Sequence, residues 1–132
     1  MRIWLCIAWA AFLFLFLCIW DVAGPDGTRF YVRIDADPSW SGFFGTFNLF
    51  EPYMLLRKIG HIFGFAVLQL LLHAHFRKFG VSIGLAVAFA LATELLQPIF
   101  SRHGLLLDVG VDFIGILLAA LALRLNQRWS NR

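Results

Sequence analysis

Six polar side chains in this 132-residue sequence stand at helical spacing inside otherwise apolar stretches. Lys58 and His61 are three apart, Glu94 and Gln97 three apart, and Asp108 and Asp112 four apart, so each pair shares one helix face. Arg102 lies between the second pair and the third. A glutamate and a histidine within reach of each other in a low-dielectric pocket form a general acid/base pair. Glu94, His61, Asp108 and Asp112 are therefore the candidate catalytic residues, and Glu94 and Asp112 are also suited to share a proton as adjoining carboxyls. Lys58 and Arg102 have the charge to hold a phosphate or carboxylate, and Gln97 completes the substrate-binding set. No serine or cysteine nucleophile is suitably placed, Ser101 standing in no motif, so the chemistry would be direct activation of water or an acceptor. A His/Asp/Glu metal site is the weaker alternative, His61 being the one well-placed histidine, so no metal ligand and no cofactor are assigned.

The same residues have structural readings. Arg102 and Asp108 fit an ion pair closing a tight turn, Lys58 a side chain snorkelling to headgroups, and His61 a hydrogen-bonded strut between helices. Gln69, on roughly the face of Lys58 and His61, reads as packing glue. His73 and His75 are two apart, point to different faces and read as interfacial. Glu94 resists a bland account. An ionisable group in hydrocarbon costs on the order of 2.5–3.5 kcal/mol, and glutamine would fill the same space without that cost.

The elements that must position these groups follow from composition. Hydrophobic residues make up 61% of the chain and charged ones only 14%, with a mean hydropathy of +0.79. Soluble domains carry about 25% charged residues, so too little polar surface remains to coat a globule. The expected fold is all-α: a polytopic four-transmembrane-helix bundle forming one domain over residues 1–132. Its spans cover about 3–20, 56–76, 80–100 and 105–125, and one extracytoplasmic loop, 21–55, joins the first two. Each span approaches the roughly 20 residues a bilayer requires. The first reads as an uncleaved signal anchor, since no small-x-small site precedes Asp21. Cys6 and Cys18 lie along that one helix, about 18 Å apart at helical rise, too far for a disulfide.

A net charge of +3 and a pI near 9.3 suggest nucleic acid only until the basic residues are located. They sit at helix ends, where headgroups want them, and no nucleic-acid partner is expected. Arg2, Arg77, Lys78, Arg124, Arg128 and Arg132 fall on one side, in short flanks. The other side receives five basic and all eight acidic residues, which predicts cytoplasmic N- and C-termini. Within the loop, Arg29 to Asp35 alternates weakly like a short strand. Trp40, Phe43, Phe44, Phe47, Phe50 and Tyr53 suit either a segment in the outer headgroup layer or a lid over the bundle, and the stretch from Phe43 to Phe50 is long enough to dip in as a re-entrant segment. Gly60 and Gly64, Gly80 and Gly84, Ala88 and Ala92, and Gly115 and Ala119 are small-xxx-small pairs read as helix packing.

Helix rise of about 1.5 Å per residue sets Glu94 roughly 9 Å below the outer end of the third span, with Asp112 at comparable depth in the fourth. His61 and Asp108 are nearer the surface. Polar faces from three helices thus meet in the outer leaflet, while the inner halves hold almost nothing ionisable except His73 and His75.

Lys58-x-x-His61-x-x-x-Phe65, then Glu94-x-x-Gln97, Arg102, Asp108 and Gly115, resembles the signature of VanZ-like membrane proteins, over about Arg57 to Leu123. Glu-x-x-Gln followed by Arg-x5-Asp-x3-[Asn/Asp]-x2-Gly is its most specific part. Asp112 stands where that family commonly has asparagine, and Ala119 where a second glycine is frequent. The resemblance implies a bacterial plasma membrane and an association with teicoplanin resistance, and it brings a residue set more readily than a reaction.

Three functions fit: an enzyme acting on an amphiphilic envelope substrate such as a lipid-linked wall precursor, a non-catalytic binder of lipid or antibiotic, and a small proton-linked carrier. Membrane lipids or such a precursor are the expected partners, and a second copy of the chain is a further candidate. The one-sided polar cluster and the lack of an inverted repeat weigh against a carrier. The orientation is directly testable: green fluorescent protein fused after Arg132 should fluoresce and alkaline phosphatase fused there should stay inactive, the reverse pattern overturning it.

Overall fold

The computed structural model describes residues 2–21, 29–30, 34–46 and 54–130. Helix α1 spans Arg2–Phe14 and continues as a π-helical stretch, Leu15–Ile19. Two short strands follow, β1 Trp20–Asp21 and β2 Arg29–Phe30, paired antiparallel with Trp20 opposite Phe30. Of the weak alternation predicted from Arg29 to Asp35, Arg29–Phe30 is a strand; residues 31–33 lie outside the described residues, and Ile34 and Asp35 are not in a strand. Helices α2, Met54–Phe76, and α3, Phe79–Leu96, come next; a 3₁₀ turn, Gln97–Phe100, extends α3, and α4 is Leu106–Ser130.

Among the described residues, Met54–Phe76, Phe79–Phe100 and Leu106–Ser130 are long and apolar enough to cross a membrane, and Ile3–Ile19 is a shorter apolar helix. Together they form the expected four-helix membrane bundle. Helices suit this setting because their backbone polar groups are satisfied internally. Arg77, with φ 57°, interrupts the helical path between α2 and α3. Pro98 lacks an N–H to continue the α-helical ladder, the chain tightens to 3₁₀, and Ser101 caps it in the left-handed region at φ 57°. α4 runs past the predicted end at residue 125, because Asn126 to Ser130 can stay helical beyond the hydrocarbon.

Helix α2 is the hub, packed on α1, α3 and α4. Since α2 and α4 both start at the end where α3 stops, α2 and α4 run parallel and α3 antiparallel to both. Phe65, Leu68, Leu72, Ala86, Ala90 and Ile116 fill the core with Cys6, Leu13 and Leu17 of the first helical segment. Leu55, Leu56, Phe63, Leu117, Leu118 and Leu121 face outward, as lipid-contacting residues do. Cys6 and Cys18 are both buried and in no disulfide, and the Cys18 thiol donates to the Thr93 carbonyl at 3.7 Å.

Only part of the small-residue pattern makes contact. A Cβ on Gly115 would run into the Ile62 carbonyl, and one on Gly64 would lie 2.7 Å from Leu13 Cδ2. Trp9 Nε1 also donates to the Gly64 carbonyl at 2.9 Å. In contrast, Gly60, Gly80 and Gly84 have open space around them, and Ala88 and Ala92 are exposed. The packing expected of these α3 residues falls instead to Ser82, Ala86, Ala90, Thr93 and Glu94, a neighbouring stripe of the same helix.

Residues 34–46 run against the end of α3 and the start of α4. The Asp35 N–H donates to the Ile99 carbonyl at 2.8 Å, Trp40 Nε1 to that of Leu95 at 3.1 Å, and the Leu106 N–H to that of Phe43 at 2.8 Å. These hydrogen bonds tie the stretch to the ends of α3 and α4, with Phe44 turned outward. Phe47, Phe50 and Tyr53, and with them half of the re-entrant segment considered, residues 47–50, lie outside the described residues. Gly115→Val should lower stability by about 1–3 kcal/mol through overpacking against Ile62, read as an earlier midpoint in SDS unfolding from mild detergent. Gly60→Ala, with open space, should leave that midpoint in place.

Candidate functional site

The antiparallel alternation brings the start of α2, the end of α3 and the start of α4 to one end of the bundle. One stripe of α2, Lys58, His61, Phe65, Gln69 and His73, faces inward at helical spacing. Asp108 and Asp112 project from α4 onto its first part, and Glu94 with Gln97 closes the third side from α3. All six of these candidates are buried, with Glu94 and Asp112 at 0% exposure. Arg102, the seventh, is half-buried on the turn before α4, its backbone N–H donating to the Gln97 carbonyl at 3.0 Å.

Pairing within the cluster differs from the sequence expectation. Lys58 does not snorkel; it is 6% exposed and makes a buried ion pair with Asp108 across α2 and α4. Asp108 thus has a cross-helix partner that the sequence had not assigned to it. His61 Nδ1 lies 2.8 Å from Asp112 Oδ1, so histidine, rather than Glu94, is the partner of that carboxylate. Glu94 Oε1 accepts from Gln97 Nε2 at 3.0 Å and Oε2 from the Leu105 N–H at 2.9 Å. The expected proton-sharing pair of carboxyls is therefore replaced by two separately supported groups. They remain neighbours: His61, Glu94 and Asp112 each offer a ligand-type atom within 4.8 Å of the others. Asp112 Oδ2 is buried with no hydrogen-bond partner among the described residues.

Chemically, the His61–Asp112 arrangement is that of a histidine oriented by a carboxylate. With Nδ1–H donating to Asp112, Nε2 is left as the acceptor, a tautomer assigned from the contact. The Gln97 amide and the Leu105 N–H point their hydrogens at Glu94, which suits a carboxylate acceptor. Helix α4 also begins beside this cluster, with Asp108 in its first turn where the helix dipole favours negative charge.

A second polar cluster lies farther along the same stripe. Gln69 Nε2 donates to Ser82 Oγ at 3.0 Å, and Ser82 Oγ to the Phe79 carbonyl at 3.1 Å. His73, near the end of α2, is buried among the helices; its ring packs on Phe79 with centroids 4.1 Å apart, and its Nε2 is 3.4 Å from Gln127 Nε2. Ser82 and Gln127 went unnoticed in the sequence, although the four-residue step from Gln69 to His73 on α2 was a signal. The polar content is thus less one-sided than expected, yet Phe65, fully buried between His61 and Gln69 on the stripe, separates the two clusters.

Removing one member of the buried ion pair leaves the other charge uncompensated. Lys58→Met alone should destabilise the bundle by about 3–5 kcal/mol, whereas Lys58→Met with Asp108→Leu should recover most of it. SDS unfolding of the single and double variants provides the check.

No family model matches the chain, and no solved structure matches it significantly. Among curated proteins it is similar to one from Bacillus subtilis (strain 168), described as "Uncharacterized membrane protein YwnJ", at 32% identity over 111 residues. That similarity covers 82% of this chain and 79% of the relative. With its apolar helical bundle, the chain is an integral membrane protein and belongs to the family of that Bacillus protein.

Proposed function

We propose that this protein acts on an amphiphilic cell-envelope substrate, such as a lipid-linked wall precursor, at a polar site in the outer leaflet of the bacterial plasma membrane. The observation that supports this best is the buried His61–Asp112 pair beside Glu94, contributed by three helices. Asp112 orients His61 for proton transfer at Nε2, and Glu94 serves as the second acid/base group. Arg102, on the turn, and Lys58, after exchanging its Asp108 partner, hold the phosphate or carboxylate of the headgroup. Phe65 and the apolar faces below leave the tail to the hydrocarbon side. Cytoplasmic termini put this end of the bundle outside, where such precursors are assembled into wall.

The ordered residues from Lys58 to Gly115 support a place among VanZ-like proteins, and glycopeptide (teicoplanin) resistance is the phenotype that this reading connects with. A non-catalytic lipid or antibiotic binder is the second reading, favoured by the burial of all six site residues in a closed arrangement. A proton-linked carrier is disfavoured by the Phe65 barrier between the two polar clusters.

Purified wild type and Glu94→Gln, each incubated with labelled envelope lipids and wall precursors, distinguish these by mass spectrometry. A new product from wild type, reduced by about 10²–10⁴-fold in the variant, is the expected result for a general acid/base group. Unchanged lipids, with the same species co-purifying on both proteins, would overturn the enzymatic reading in favour of binding.

A further inference from the structure

The histidine count argued against a metal, but tertiary packing supplies what the sequence spacing lacked. His61 from α2, Glu94 from α3 and Asp112 from α4 are far apart along the chain, and their ligand-type atoms come within 4.8 Å of one another. All three side chains are buried, Glu94 and Asp112 completely. Metal–ligand bonds of about 2.0–2.2 Å bring ligand atoms to roughly 3–4 Å from each other, so modest side-chain rotation would close the set on an ion.

Two further observations favour an ion over a merely hydrogen-bonded cluster. Asp112 Oδ2 has no partner among the described residues although the carboxylate is fully buried. An orphaned carboxylate oxygen in such a place is costly unless something positive meets it. Around it, the other donors already have supports. Gln97 Nε2 and the Leu105 N–H hold the two oxygens of Glu94, as outer-shell hydrogen bonds orient ligating carboxylates. Lys58 engages Asp108, the remaining carboxylate of the cluster, and keeps it from competing.

We propose that His61, Glu94 and Asp112 form a binding site for a first-row divalent cation, Zn²⁺ or Mn²⁺. One imidazole with two carboxylates is a mixed nitrogen and oxygen donor set that suits these ions. Three protein ligands leave a coordination position for water or for a phosphate oxygen. Use of that position on a lipid-linked phosphate rests on the proposed function; the ion site itself does not.

The second polar cluster also holds buried atoms without a partner among the described residues, Gln69 Oε1 and His73 Nδ1, but it has no carboxylate among its contacts to ligate a cation.

The test uses the full chain in detergent, purified without a histidine tag and stripped with a chelator. Zn²⁺ after equilibrium dialysis is counted by mass spectrometry, and Mn²⁺ is followed by electron paramagnetic resonance. Wild type should bind about one ion per chain, with nitrogen coupling to Mn²⁺ that disappears in His61→Gln. The near-isosteric Asp112→Asn and Glu94→Gln should weaken binding by roughly tenfold or more. His75→Ala and His103→Ala, changing exposed histidines, should bind like wild type. Wild type that takes up neither ion stoichiometrically, or folded Asp112→Asn (monodisperse, with wild-type SDS-unfolding behaviour) that binds as tightly as wild type, would overturn the site. The two proposals fail separately. Ion binding with no lipid product removes only the enzymatic reading, and lipid turnover by a protein that takes up neither ion removes only this one.

Discussion

Charge buried in an apolar bundle must be paired, and the contacts between α2 and α4 are organised around that requirement. Lys58 meets Asp108, and His61 meets Asp112 one turn further in. Residues three apart on α2 thus face residues four apart on α4, which sets the two parallel helices in one register and leaves little freedom to slide. Past these pairs, the missing side chain of Gly115 admits the Ile62 backbone and keeps the helices close. Near the far end, His73 approaches Gln127 in the same register. Polar pairs supply specificity here more than net stability, since the desolvation cost of burying each charge offsets much of its attraction.

Glu94 ties the third helix into this arrangement. Its carboxylate receives the Gln97 amide from the next turn and the Leu105 N–H from the far side of the connecting turn. Gly104 is packed so tightly against the Glu94 backbone that a side chain there would overlap its carbonyl. The 3₁₀ turn forced by Pro98, the left-handed Ser101 and this capping carboxylate together fold the chain back to start α4 beside α2. Phe43 and Trp40 then add contacts from residues 34–46 to the same end. Structural support and candidate chemistry are therefore carried by the same atoms, so substitutions at Glu94 need a stability measurement beside any functional one.

This overlap bears on function. A carboxylate-oriented histidine, a supported glutamate and an aspartate oxygen without a partner among the described residues are gathered at one end of a membrane bundle. Hydrogen bonding alone accounts for Glu94 and for one oxygen of Asp112, and it does not account for the other. That remaining oxygen is the observation on which the proposed ion site rests. The Phe65 layer confines whatever happens there to one half of the bundle.

Much of the protein was legible from sequence because hydrocarbon imposes a simple rule. Long apolar runs broken by Arg77-Lys78 and by Ser101 to Gly104 define the helices, and costly polar residues at helical spacing mark the inward faces of α2 and α4. Lys58, His61, Glu94, Gln97, Asp108 and Asp112 were found in this way, and they do meet. Which of them pair was not legible. Helical periodicity gives a residue's face and approximate depth, but the partner of Asp108 or Asp112 depends on the rotation and offset of neighbouring helices. Small residues show the same limit: Gly64 and Gly115 are contact points and Gly80 and Gly84 are not, though their spacing is identical. Sequence determined the membrane solvent, the helices and the polar set, because each follows from local composition and period. The pairing of Lys58 with Asp108, the support of Glu94 by Leu105 and the convergence of His61, Glu94 and Asp112 came only from the tertiary structure, because they are distances between helices that no single helix encodes.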